Sequence, residues 1–432
     1  MKKKIISLLL MVTMSATLFA CGSVDGKSSQ NSEKSRSKES MSDKSGKTPV
    51  KMAVWGSGAA ENHKKAAEAF NAAHDNIEFD VEMQTGDYNQ FLGAKVASDD
   101  LPDLFWLNPY SQVQEFAKND RIMDLSDQDF IPEIYDFAKE ASSYEGKVYA
   151  YPLEIEMLGI FYNQDLFEKA GITEVPETFS ELKDVCAKLN EKNITPFAAT
   201  YQESWTLNHL FSCLQGTAVG DYKTWINDMN EGKGSFKNKN SDREFEFMDL
   251  MKENSGSNYM DADSTSGFNA FASGEAAMIL TGEFSLLNAE SIDPNLKAGL
   301  FAVPLTDDPQ DAKLDVDVGI CVVVNKNTKH PDEVKEVLKF LNDPENGWGS
   351  YTRNTMGSSV APMDCDSKLS YPYLDDYNQY MRDNQIKPWV YLQLESGAND
   401  LIGPAIQGYF SGITDEKQTL ADLDTKYSEL LE

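Results

Sequence analysis

From Val50 onward the chain alternates short apolar runs with stretches of helical spacing. Val50 to Trp55 reads as a strand that enters a Gly56-Ser57-Gly58 loop, and Ala66, Ala67, Phe70 and Ala73 then recur on one helical face. Ile77 to Met83 alternates apolar and acidic residues as a second strand. Phe91, Leu92 and Val96 mark a second helix, and Leu101 to Asn108 a third strand. Strand–helix–strand–helix–strand predicts a parallel sheet with helices on both faces. Ligands of such sheets sit beyond the carboxyl ends of the strands. That singles out Trp55 and Ser57 in the first loop, Asp87 and Tyr88 after the second strand, and Trp106 and Asn108 after the third. Asp103, after Pro102, reads as a turn or backbone-capping residue.

The stretch VYAYPLEIEMLGIFYN, Val148 to Asn163, interrupts this pattern. An extended run through Pro152 is followed by a second short strand from Leu158 to Tyr162. Between them Glu154 and Glu156 are spaced i, i+2, which puts both carboxylates on one face of an extended backbone. A carboxylate in an apolar run must be paired, or must look onto water or a ligand. The two are either solvated strand-edge residues or, Glu156 above all, ligand-facing.

Beyond it, Thr178-Phe179-Ser180-Glu181 reads as a capping box opening a helix with Phe179, Leu182, Val185 and Leu189 inward. Pro196 to Tyr201 leads to Trp205 at a helix start, a wall for a second lobe, whereas Trp225 reads as packing. Residues 231–243 read as a surface excursion. The run from Phe268 to Met278 precedes a strand that ends at Gly282 and opens a new helix, where backbone N–H groups could meet ligand oxygens. Glu283 there is either a ligand group or a first-turn complement to the helix dipole, with Phe284 as an aromatic platform. Asp317 to Val324 is a buried strand, and Val334, Val337, Leu338 and Leu341 share one helix face. Trp389 is a further aromatic candidate, and Leu420, Leu423, Tyr427 and Leu430 stripe the last helix.

Charge narrows the function classes. The 432 residues carry 39 Lys+Arg and 70 Asp+Glu, a net −31. Residues 1–48 hold nine basic and four acidic residues, which leaves 30 against 66, or −36, in the remaining 384. Nucleic-acid affinity comes largely from Lys and Arg neutralising phosphates, so this balance argues against it. It suits an exported protein and leaves a cationic ligand open. Lys2, Lys3 and Lys4 precede an apolar stretch, Ile5 to Met14, too short for a permanent span. Leu18-Phe19-Ala20-Cys21-Gly22 resembles a lipoprotein signal, which implies cleavage before Cys21 and a lipid on its sulfur. Residues 22–48, rich in Ser, Lys and Gly, read as a disordered tether. Cys186, Cys213, Cys321 and Cys365 lack metal-ligand spacing, and Cys321 reads as a small core residue.

The segment YPLEIEMLGIFYNQDLFEKAGI with VPETFSELKDVCAKL, together with the FxxGxAAM run ending at Met278, resembles the family 1 extracellular solute-binding proteins of ABC sugar importers. The likeness runs in order through nearly all of residues 49–432. It implies a two-lobed α/β fold of the periplasmic-binding-protein kind (type II-like), each lobe a mainly parallel sheet flanked by helices. Crossovers near 155, 303 and 387 would divide 49–154 with 304–385 from 155–303 with 386–432. In the maltose-binding member of that family, tryptophan at the place of Trp106 and a carboxylate at the place of Glu156 touch sugar. Asn108 departs from that member, and Phe284 replaces a common tryptophan. Residues 353–362 resemble a loop that approaches the cleft in relatives. The resemblance implies a monomer on the outer face of the cytoplasmic membrane that hands a saccharide, most simply an oligosaccharide, to permease subunits. It implies no catalysis, no cofactor and no metal. Two readings stay beside it: capture of a polyamine or peptide, and a glycosidase built on the paired carboxylates.

Overall fold

In the computed structural model the described residues are 46–56, 60–286, 289–343, 345, 347, 348 and 372–432. Cys21, Ser57, Cys365 and the segment 353–362 lie outside them. The amino-terminal pattern folds as its periodicity predicts. Strands β1 (Thr48–Trp55), β2 (Ile77–Gln84) and β3 (Leu104–Leu107) pair in parallel with β1 in the middle. Helix Ala60–Ala73 buries Ala67 and Phe70, the apolar face its spacing defines. Strands β4 (Ser143–Tyr144) and β5 (Lys147–Val148) form a separate two-stranded ribbon.

Strand β6 then runs unbroken from Ala150 to Asn163, where two short strands were expected. Every residue but Tyr162 is buried, so the run lacks the polar alternation of a half-exposed strand. Strands β7 (Thr195–Phe197), β8 (Ala276–Gly282), β9 (Ala298–Phe301), β10 (Leu314–Val324) and β11 (Ile386–Lys387) complete one sheet. Its order is β2-β1-β3-β10-β6-β8-β7, with β11 on β10 and β9 on β6.

The length of β6 divides the molecule. Ala150 to Leu158 pairs antiparallel with β10, in the first lobe, and Leu158 to Asn163 pairs with β8 and β9, in the second. Pro152, unable to donate to a ladder, sits opposite Cys321 where the β10 register slips. Strand β11 pairs in parallel with Leu314 and Asp315 at the start of β10. Two boundaries differ from expectation. Ala298–Phe301 is still a strand of the second lobe, so the return passes through residues 302–313. Helix Pro372–Arg382 also lies with the second lobe: Leu300 N donates to Asp376 (2.9 Å) and Ala302 N to the Tyr380 hydroxyl (3.0 Å).

The predicted local signals recur. Thr178 and Glu181 close a capping box, and Asp103 accepts from Lys51 N and Thr328 Oγ1 as a backbone cap. Val334, Val337, Leu338 and Leu341 face the core. Helix Ser204–Val219 is buried along nearly its whole length and packs on helix Asn399–Phe410. The close approach requires Gly403, because a Cβ there would meet Ser204 O at 2.2 Å. Within 231–243, Phe236 is an exception to the surface reading: it is fully buried against Trp225, Phe211 and Tyr427. Cys186, Cys213 and Cys321 are buried free thiols.

Candidate ligand-binding site

Where the crossing strands meet, a cavity of about 780 Å³ opens between the lobes. Strand β6 presents Glu154 and Glu156 to it from adjacent same-face positions. Strand β10 carries a bulge at Gly319, between the partners of Ile155 and Glu154, and Gly319 is also on the wall. Helix Ser204–Val219 contributes Trp205, Asn208 and His209 from its first turns, one helical face at i, i+3 and i+4. The single 3₁₀ turn Glu283–Leu286 supplies Phe284, where a longer helix was expected. Trp389 and Tyr391 come from the segment after β11, and Trp55 and Asn108 from the ends of β1 and β3.

The carboxylates are held in an unusual state. Glu154 and Glu156 stand two residues apart on one face of β6, where a proton on one carboxyl can bond the other. Burial above all, then the Glu156 charge, holds the Glu154 carboxyl well above the usual range. Burial lifts Glu156 to about 7, with the bond to Glu154 acting the other way. Glu283 lies just beneath, fully buried, and its Oε2 accepts from Met157 N at 3.0 Å. Burial and the neighbouring Glu156 push it well up too. Of the two readings left open for Glu283, neither the cavity wall nor an exposed helix start describes it.

Polar groups on β10 pin the segment that carries Trp389. Asp317 accepts from the Tyr110 hydroxyl (2.9 Å) and from Trp389 N (3.0 Å), and burial raises it to about 7. Asp315 pairs with buried Lys387 and accepts from Ser212 Oγ (3.0 Å), which in turn accepts from Val390 N (3.1 Å). Aromatic rings then close around His209, with Trp205 and Trp389 each 5.2 Å away, Phe284 at 6.0 Å and Tyr391 at 6.3 Å.

Of the residues singled out in the sequence, Trp55, Asn108, Glu156, Trp205, Phe284 and Trp389 line the cavity. Three do not. Trp106 is fully buried, edge-on to Trp55 (4.8 Å) and His63 (4.8 Å), and so buttresses the wall instead of forming it. Tyr88 is buried edge-on to Trp55 (5.4 Å) with its hydroxyl on Ala53 O and Trp106 N. Asp87 caps the helix it precedes by accepting from Gln90 N. Asn208, His209 and Tyr391 were missed. Helical spacing from Trp205 would have found the first two.

This chain belongs to a family. Residues 57–348 match the family of bacterial extracellular solute-binding proteins, and the chain is a member of it. It is 27% identical over 267 residues to the multiple sugar-binding protein of Streptococcus mutans serotype c, a match covering 59% of this chain and 62% of that one. It is 23% identical over 385 residues to the melibiose/raffinose/stachyose-binding protein of Bacillus subtilis, covering 86% and 87%. Among solved structures it resembles the solute-binding protein RafE in complex with raffinose, with a TM-score of 0.76, 23% identity and coverage of 89% and 100%. A chitin oligosaccharide binding protein gives a TM-score of 0.78 at 18% identity, covering 89% and 99%. These structures share the two-lobed fold.

Proposed function

We propose that this protein captures a saccharide, most simply an oligosaccharide, between its lobes and delivers it to the permease of an ABC importer. The observation that carries this is the composition of the cavity. Trp55, Trp205, Phe284, Trp389 and Tyr391 offer flat apolar faces, with Glu154, Glu156, Asn108 and Asn208 as acceptors and donors between them. Aromatic faces cover the C–H faces of sugar rings, and carboxylates and amides take the hydroxyls. The names of the relatives support the same reading. The lobes close by hinge motion about the segments that join them, β6 among them, and the closed form is the one the permease reads. The chain is cut ahead of Cys21, whose lipid holds the monomer to the outer face of the cytoplasmic membrane.

Binding proceeds without catalysis. A glycosidase needs two carboxyls about 5–5.5 Å or 6.5–9.5 Å apart on opposite sides of the bond. Glu154 and Glu156 instead stand side by side on one face of one strand.

A thermal-shift panel of saccharides tests the reading, because a ligand at 100 times its Kd stabilises the folded state by about 2.7 kcal/mol. A raised melting temperature with one saccharide, and that sugar recovered intact, is the expected result. No shift with any sugar, or hydrolysis of the bound one, would overturn it. For the anchor, Cys21→Ser should release the protein to the medium.

A further inference from the structure

The cavity is rich in hydrogen-bond acceptors and poor in positive charge. Glu154, Glu156 and Glu203 reach its wall, and no lysine or arginine is among its described lining residues. The basic side chain that is there, His209, stays neutral near pH 7, because burial pushes its imidazole down to about 3. A second observation is independent of the charge count. Glu154 is 3% exposed, yet its Oε2 has no hydrogen-bond partner. Asn208 Oδ1, on the facing helix, is buried and likewise unpartnered. The Glu154 side chain lines the cavity, whereas Asn208 Oδ1 lies against Gly403 of the neighbouring helix; a buried acceptor without a donor is costly.

Sugar hydroxyls could fill these lone pairs while the two carboxyls stay protonated, as burial favours, whereas a cation would favour their ionised form. An ammonium group brings three N–H donors and a full positive charge to a single point. The rings of Trp205 and Trp389, which line the same cavity, attract a cation through their quadrupoles and also cover a pyranose face. Resting on the saccharide reading above, we infer that the ligand is an amino sugar with a free, protonated amine whose ammonium docks on Glu154 and Glu156. A linear polyamine would satisfy the carboxylates but leave the flat aromatic faces without rings to cover.

Calorimetry on the full chain near pH 7 tests this with the β-1,4-linked glucosamine trisaccharide, its N-acetylated form, cellotriose, raffinose and spermidine. The free-amine trisaccharide should bind at least about tenfold more tightly than any neutral sugar, as charge-assisted bonds replace neutral ones. Glu154→Gln and Glu156→Gln, each shown to be folded by its thermal melt, should both reduce that preference. A neutral sugar binding as tightly as the amine overturns this inference and leaves the saccharide reading standing. Spermidine as sole binder, or no binding at all, overturns both. A preference retained in both variants removes these carboxylates as its source.

Discussion

A Cβ placed on Gly319 would come within 2.1 Å of Glu156 Oε1. Gly319 sits in the β10 bulge, where the register against β6 slips, and its bare α-carbon leaves the space that the Glu156 carboxyl occupies. The end of a glutamate can rotate away, whereas the paired strands behind it cannot.

Gly319→Ala should therefore displace the carboxylate rather than the sheet. Ligand affinity should fall by about 1–3 kcal/mol, the loss typical of a charged hydrogen-bond partner. The melting temperature without ligand should hardly move. Titration calorimetry beside a thermal melt separates the two effects, and a large melting loss with intact affinity would place the strain in the backbone.

Trp205 and Trp106 should respond in opposite ways. Trp205 lines the cavity and is 37% exposed, so Trp205→Ala should cost about 2–4 kcal/mol of binding, as a central aromatic contact does. Its effect on unliganded stability should be small. Trp106 is 0% exposed, and Trp106→Ala should cost about 3–5 kcal/mol of stability as a core cavity. Urea unfolding and binding isotherms on both variants check the contrast.

Lys387 and Asp315 form a buried ion pair where β11 meets the start of β10. Removing one partner leaves a buried charge alone, so Lys387→Met should destabilise by about 3–5 kcal/mol. The double variant with Asp315→Leu should recover much of that, since an apolar pair of similar volume has no charge to desolvate. Denaturant unfolding of the four-member cycle gives the coupling directly.

The buried carboxyls set a pH dependence. Burial raises Glu156 from 4.5 to about 7, Asp317 from 3.8 to about 7 and Glu244 from 4.5 to about 8. A carboxyl with a raised folded-state pKa binds its proton more tightly folded than unfolded. Its stabilising share is full below the unfolded value and is lost as pH rises toward the folded one. The unliganded melting temperature should therefore be higher near pH 5 than near pH 8. Glu244→Gln, away from the cavity, should flatten the slope. A melting temperature that rises across this range would show that these carboxyls are solvated.

Trp106 shows where sequence reasoning stopped short. The crevice beyond a parallel strand begins where the strand ends, and β3 runs through Leu107. The first residue past it is Asn108, which lines the cavity, while Trp106 is still inside the sheet. A boundary error of one or two residues moves a side chain from wall to core. Asp87 failed for another reason: the same carboxylate that could meet a ligand is also a good helix cap, and local geometry took it.

The sequence by itself determined the elements whose signals are local. Parallel strands buried on both faces leave apolar runs, helices leave a 3.6 period, and the Thr178 box depends on neighbours a few residues away. It also placed Glu154 and Glu156 on one face, because the strand period is two. Only the tertiary structure decided what surrounds them. Leu158 pairs with Gly282, and that pairing carries Glu283 beneath Met157, 126 residues away in the chain. Strand β11 lies against the start of β10, so Asp317 holds Trp389 at the cavity wall and Lys387 meets Asp315. Such contacts depend on which strands become neighbours, a choice made by the packing of the whole sheet and written in no single stretch of residues.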